Sequence, residues 1–319
     1  MIQEKIIEFL KRTDGYLSGE EISESLKISR AAVWKYIQEL KESGYDIVAV
    51  PHLGYKLNAT PDKLFPSEIQ FSLETKILGK QIVHHETVNS TMDMAFQMAT
   101  EGAAEGTVVC AEGQARGRGR LGRSWASPKG KGIYLSIILR PKLSPSEVAK
   151  LTLLCAVALC DAIRNRTGLQ TSIKWPNDVL IEGKKVAGIL TELSAEMDRV
   201  KFIVIGIGLN VNTKSDTLPS GATSLRSELK KQISRVEITK EILKQIEKWY
   251  LILQKEGFNP VAERWKELST TLNKRVKITD ANGSLEGIAV DIDNDGGLLI
   301  RKDTGVLVKR MAGDVTQVR

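Results

Sequence analysis

The sequence predicts a multidomain α+β fold. Its parts are an N-terminal winged helix-turn-helix (residues 1–62), a central mixed α/β domain with a helix-covered sheet (63–271), and a small SH3-like β-barrel at the C-terminus (272–319). Three observations predict this. The first segment repeats apolar residues at helical spacing between capping residues. The middle alternates strand-like and helix-like stretches. From about Asn273 the chain switches to short strands separated by turn residues. A length of 319 residues suits two or three domains, and 42% hydrophobic residues suffice for a sizeable core.

In the first segment, IQEKIIEFLKR sets Ile2, Ile6, Phe9 and Leu10 on one helical face. Ser18 and Glu21 have the spacing of a capping box that opens a second short helix. Ser29 is placed to cap a third, which turns Val33, Ile37 and Leu40 inward and Arg30, Ala31, Trp34, Lys35 and Gln38 outward. YDIVAVPHLGYKLN then alternates around a turn, like a two-stranded wing. A DNA-reading helix-turn-helix fits this spacing, and so does a generic helical domain. Residues 1–60 hold eight Lys/Arg against nine Asp/Glu, a weak balance for phosphate contacts, although Arg30, Lys35, Lys41 and Lys56 suit a one-sided stripe. The two prolines of NATPDKLFPSE mark a boundary.

In the central segment, QIVHHETV, GTVVCAEGQ and GIYLSIILR read as strands. STMDMAFQMATEG reads as a helix opening at Ser90 or Thr91. The strongest helix follows Ser144-Pro-Ser-Glu147 and stops at Gly168. TSIKWPNDVLIEGKKVAGILTELS and VKFIVIGIGLNVN together read as three strands, and two more helices close the domain. RVKITD, LEGIAVDID, GLLIRK and GVLVKRM form the last segment, with turns at Asp280–Gly283 and Asn294–Gly297.

Composition narrows the function. No apolar run approaches the ~18 residues of a membrane span, and charges interrupt the N-terminus as they would not in a signal peptide. Three cysteines, an odd number in apolar runs, suit reduced thiols and a cytoplasmic location. No CxxC or CxxH pattern points to a bound metal, and three histidines argue against a zinc or His-based hydrolase.

Positive charge concentrates in one place. Residues 114–142 carry eight Lys/Arg and no Asp/Glu, including QARGRGRLGRSW. Gly117, Gly119 and Gly122 imitate a dinucleotide fingerprint, but no helix opens behind them, and no HRD or DFG completes a kinase set. What remains is a flexible glycine–arginine loop suited to phosphate or carboxylate, or an unspecific basic loop. Its neighbours favour a site. Lys174 precedes Trp-Pro and can aim a fixed cation, Asp178 follows, and Gly188, Gly206 and Gly208 thin two strands. Together they suggest a pocket for a flat, partly apolar ligand near a polyphosphate.

In their order, NSTMD, GQARGRGRLGRSWASP, KWPNDVL, KKVAGIL and GIGLNVN resemble the biotin–protein ligases, and the flanking segments resemble their bifunctional ligase/repressor form. The resemblance implies activation of biotin by ATP, with Mg²⁺, to biotinyl-5′-AMP, and transfer to a lysine of a biotin carboxyl carrier domain. It also implies operator DNA as a partner, with biotinyl-AMP as corepressor and a loaded homodimer. It places Ser90, Thr91, Gln114, Arg118, Gly119, Arg120, Lys174 and Gly188 at biotin. Arg120, Arg123, Trp125, Asn177, Asn210 and Asn212 fall at the adenylate, and Ser29, Arg30, Ala31, Trp34, Lys35 and Gln38 at DNA. Arg118, Arg120 and Lys174 carry the catalytic charge. Met92 departs from the pattern, standing where asparagine is expected. A lipoate–protein ligase and a metabolite-sensing repressor without turnover are the alternatives.

Overall fold

The computed structural model describes residues 2–197, 199–280 and 283–318. The chain divides into two units, Met1–Ser72 and Leu73–Arg319. This division falls beyond the residue-62 boundary suggested by the prolines.

The first unit contains α1 (Ile2–Arg12), α2 (Gly19–Leu26), α3 (Arg30–Glu42), β1 (Asp46–Val50), β2 (Gly54–Ala59) and α4 (Pro66–Gln70). Ile6, Ile7, Leu10, Ile22, Val33, Ile37 and Leu40 form its core. Phe9, expected inward, is only half-buried, and Ile7 takes the inner position. The capping box is present. Ser18 Oγ accepts the Glu21 N–H at 3.1 Å, and Glu21 accepts the Ser18 N–H at 2.8 Å. β1 and β2 pair as an antiparallel hairpin, and Leu17 bridges to Tyr55 beside it. Pro66 starts α4, where its missing N–H costs nothing. α4 joins this unit because Glu68 is buried, accepting from the Tyr45 hydroxyl at 2.8 Å and pairing with Lys11 at 2.7 Å.

The second unit opens with β3 (Ile82–His85), α5 (Thr91–Thr100), β4 (Val108–Ala111), β5 (Gly132–Leu139) and α6 (Ala149–Thr167). Four strands follow where three were expected: β6 (Thr171–Lys174), β7 (Asp178–Ile181), β8 (Lys184–Glu196) and β9 (Arg199–Asn210). The Trp-Pro step ends β6 at Lys174 and so splits the KWPND run between two strands. α7 (Leu225–Leu229), α8 (Arg235–Glu256) and α9 (Asn259–Leu268) complete the domain. The seven-stranded sheet has the order β3-β4-β5-β9-β8-β7-β6, with β3 and β4 parallel and the other neighbours antiparallel.

Every residue of β5 is buried, as expected for a central strand covered on both faces. α5 covers one face, where Met92, Ala95 and Ala99 meet Ile138, Phe202 and Val204. α6 lies on the other, where the Thr152 hydroxyl meets Thr191 at 2.8 Å. The box of Ser144 and Glu147 caps a short 3₁₀ turn leading into α6, and Gly168 ends the helix in the left-handed conformation.

At the C-terminus, β10 (Arg275–Asp280), β11 (Gly283–Ile292), β12 (Leu298–Arg301), β13 (Leu307–Arg310) and β14 (Asp314–Gln317) form one antiparallel sheet, ordered β13-β12-β11-β10-β14. β14 was not expected from the sequence: only Val315 in it is buried, so no alternation shows. β10 and β11 pair as far as Asp280 and Gly283, and residues 281 and 282 of the expected turn lie outside the described residues. No helix among the described residues is long and apolar enough to cross a membrane.

Candidate active site

The site lies on the α5 face of the sheet. Ser90 caps α5, its Oγ accepting the Met92 N–H at 3.2 Å, and both Ser90 and Thr91 are buried. Gln114 Oε1 accepts from the Thr91 N–H at 2.9 Å and from the Thr91 hydroxyl at 3.2 Å, while its Nε2 donates to Ser127 at 2.8 Å. Ser136 of β5 donates to the Thr91 hydroxyl at 2.9 Å. These groups make a fixed polar wall at one end of a cavity.

Strand alternation builds the floor. Gly188 pairs directly with Gly208, and Gly206 with Leu190, so all three glycines face α5. A Cβ at Gly208 would stand 2.4 Å from the Trp125 indole, and one at Gly206 would stand 2.5 Å from Met92 Sδ. The side chains are absent because Trp125 and Met92 occupy their space. Met92 is thus accounted for without the hydrogen bond an asparagine would make: its thioether packs on a glycine.

The glycine–arginine loop folds back on itself as a hairpin. Gly119 N–H donates to Arg123 at 2.7 Å, Trp125 N–H donates to Gly117 at 2.8 Å, and the tip is a tight turn over Arg120–Gly122 with Leu121 in the left-handed conformation. Three of its four arginines are held by acceptors. Arg118 pairs with Asp93 at 2.5 Å and with Glu192. Arg120 donates to Asn177 at 3.0 Å, and burial works against its charged form. Arg123 grips Asp314 of β14 through both terminal nitrogens.

Two cavities meet here. The first is lined by Ser90, Thr91, Gln114, Arg118, Gly119, Arg120, Arg123, Trp125, Asn177 and Gly188 among the expected residues. The second holds Lys174, Asn210 and residues 218–222, again with Trp125. Ser124, Trp125, Asp178 and Lys185 line both. Lys185 Nζ lies 2.6 Å from Asp178 and 5.4 Å from the centre of the Trp125 ring. The Trp125 indole N–H is buried with no hydrogen-bond partner among the described residues.

The expected positions of two residues change. Lys174, the last residue of β6, lines only the second cavity. Asn212 lines neither cavity: its amide is spent on Ile233, donating to the carbonyl at 2.8 Å and accepting the N–H at 3.0 Å. Lys185, Asp314 and Met92 were not among the expected site residues.

In the first unit, Ser29 is a helix cap, accepting the Ala32 N–H at 3.1 Å. Arg30, Ala31, Trp34 and Lys35 are exposed on α3, Trp34 to 60%, and Gln38 is half-buried.

Residues 85–210 match the biotin/lipoate A/B protein ligase family, residues 2–56 an HTH domain, and residues 271–316 the biotin protein ligase C-terminal domain. The bifunctional ligase/repressor BirA of Bacillus subtilis is 41% identical over 302 residues, 93% of each chain. The chain belongs to the bifunctional biotin ligase/repressor family. The Escherichia coli BirA is 31% identical, over 94% of this chain and 92% of its own. A biotin protein ligase of Aquifex aeolicus, solved with biotin and ATP, superposes with a TM-score of 0.65 at 29% identity, covering 75% of this chain and 99% of that one. Nearly all of that protein is thus matched within this chain.

Proposed function

We propose that this protein joins biotin to ATP, giving biotinyl-5′-AMP and pyrophosphate, and then transfers biotin to a lysine of a biotin carboxyl carrier domain. The observation that carries this reading is the junction of the two cavities at Lys185, Asp178 and Trp125. The first cavity suits biotin. Its polar wall of Ser90, Thr91 and Gln114 meets the ureido ring, and its glycine-thinned floor accepts the flat bicycle. The second suits the nucleotide, with Trp125 as a stacking surface for the base.

The biotin carboxylate oxygen attacks the α-phosphorus and the pyrophosphate oxygen leaves. Both reactants are anions, so the barrier falls through charge neutralisation and alignment, without a general base. Lys185 stands at the junction to bridge carboxylate and phosphate, with Arg118 and Arg120 beside it. Lys174 serves the nucleotide side. Mg²⁺ would come with ATP and would be held chiefly by phosphates and water, and Asp178, paired with Lys185 in this structure, is the carboxylate that would meet it. In the second step the carrier amine attacks the acyl carbon and AMP departs, while the loop excludes water from the adenylate.

The first unit gives the chain a second role as a repressor. Arg30, Ala31, Trp34, Lys35 and Gln38 of α3 would read operator bases, Ser29 would fix the helix start, and biotinyl-AMP would favour a DNA-binding homodimer in the cytoplasm. Transfer is tested by incubating the protein with biotin, MgATP and a carrier domain and blotting for biotinylated carrier; no transfer would refute the ligase reading. Repression is tested separately by operator gel shift, and a shift unaffected by biotin with ATP would refute it.

A further inference from the structure

The mechanism leaves unexplained a buried charge pair behind the site. Arg235, the first residue of α8, and Glu112, the residue after β4, have side chains only 2% exposed, and their charged atoms lie 2.7 Å apart. A buried ion pair is poor evidence of a stabilising role, because apolar residues of similar volume often serve stability as well. Its position suggests another use.

Arg235 also donates to the Gly132 carbonyl at 3.3 Å, at the point where the glycine–arginine loop rejoins β5. Glu112 precedes the same loop, and its carbonyl accepts the Gly130 N–H at 2.9 Å. The pair therefore ties the loop's two ends together. The preceding carbonyl, of Lys131, accepts the Asn212 N–H at 2.6 Å. Asn212 begins the second loop, which carries residues 218–222 into the other cavity. The Asn212 amide in turn grips Ile233, two positions before Arg235. One short stretch, Lys131–Gly132, is thus held on one side by the entrance of the nucleotide-side loop and on the other by Arg235. Tyr134 closes the joint, its hydroxyl donating to the Pro128 carbonyl at 3.1 Å across the side-chain-free Gly132.

We infer that Arg235 and Glu112 are positioning residues that set the walls of the biotin and nucleotide cavities relative to each other. They touch neither substrate. They fix the common base of the loop bearing Gln114, Arg118, Arg120 and Trp125 and of the loop bearing residues 218–222. This inference rests on the ligase reading above. It predicts that loosening the pair weakens both substrates together, a pattern a contact within one cavity would not produce.

The test compares the wild-type full chain with Arg235→Met/Glu112→Leu, which removes both charges and keeps apolar volume, and with Arg235→Lys, which keeps the charge and loses the fork. Biotin-dependent exchange of labelled pyrophosphate into ATP gives KM for each substrate and kcat. Near-UV circular dichroism checks the fold, and a chase measures escape of the adenylate. In the folded double variant, KM for biotin and KM for ATP should each rise about tenfold, with kcat changed far less and the adenylate escaping faster. Arg235→Lys should recover part of both KM values. Wild-type KM values in the folded double variant, or a change in only one of them, would overturn the inference. Should the double variant fail to fold, Glu112→Gln is assayed by the same criteria. Absence of exchange in the wild-type protein would instead refute the ligase reading itself.

Discussion

Lys185 stands where the two cavities meet. It is one of two adjacent lysines, and a bulge at Val186, where β8 carries one residue more than β7, breaks the alternation and brings Lys185 to the face of Gly188 while Lys184 stays exposed. Lys185→Ala should slow adenylate formation ~10²–10³-fold, as loss of a preorganised charge at a transition state does, measured by pyrophosphate exchange. Lys174→Ala should mainly raise KM for ATP. The floor makes a second prediction. In Gly206→Ala the new methyl competes with Met92 Sδ and pushes the thioether into the cavity, so KM for biotin should rise about tenfold. Met92→Ala in the same chain should restore it, and a double variant no better than Gly206→Ala would contradict the packing. The cysteines play no part in this chemistry. Burial pushes the thiols of Cys110, Cys155 and Cys160 up to about 12, so all three should resist alkylation in the native protein at neutral pH. Rapid labelling at unchanged activity would show them more open than the fold implies.

Capping was the feature of the elements most readable from sequence. Ser18, Ser29, Ser90 and Gly168 all act as local chemistry predicts, because a cap is decided by residues within one helical turn. The box at Ser144 carries a pH prediction. A side-chain hydrogen bond from Lys150 and the Ser144 N–H hold the Glu147 carboxyl down to about 2. A depressed folded-state value means its contribution is fully present above the ordinary carboxylate range and is lost as pH falls toward 2. The group is largely solvated, so the effect is small. Glu147→Gln should lower stability by up to ~1 kcal/mol at pH 7, with the gap from wild type closing in acid-titrated thermal melts; a constant gap would contradict the assignment. What sequence could not show at this scale depended on distant partners. β14 has one buried residue and exists by pairing with β10. The prolines near residue 62 mark a boundary in the sequence, and only the structure shows that the second of them starts α4, whose Glu68 is committed to Lys11 and Tyr45.

For the whole molecule, the sequence order of motifs made the two roles legible, because each motif carries a local requirement: fork donors for phosphate, glycines beneath a flat ligand, a cap before an exposed helix face. Which cation serves which cavity was not legible. That depends on where β6 ends and on which way β8 faces, both set by the seven-stranded sheet. The reach of the C-terminal sheet to the loop, through Asp314 and Arg123, joins residues 191 positions apart. The central claim is that two cavities meeting at Lys185 make and hold an acyl-adenylate. Its most direct test is mass spectrometry of the full-length protein after incubation with biotin and MgATP in the absence of carrier. Protein-bound biotinyl-5′-AMP with one equivalent of released pyrophosphate is the predicted result; bound biotin and ATP without adenylate would contradict it.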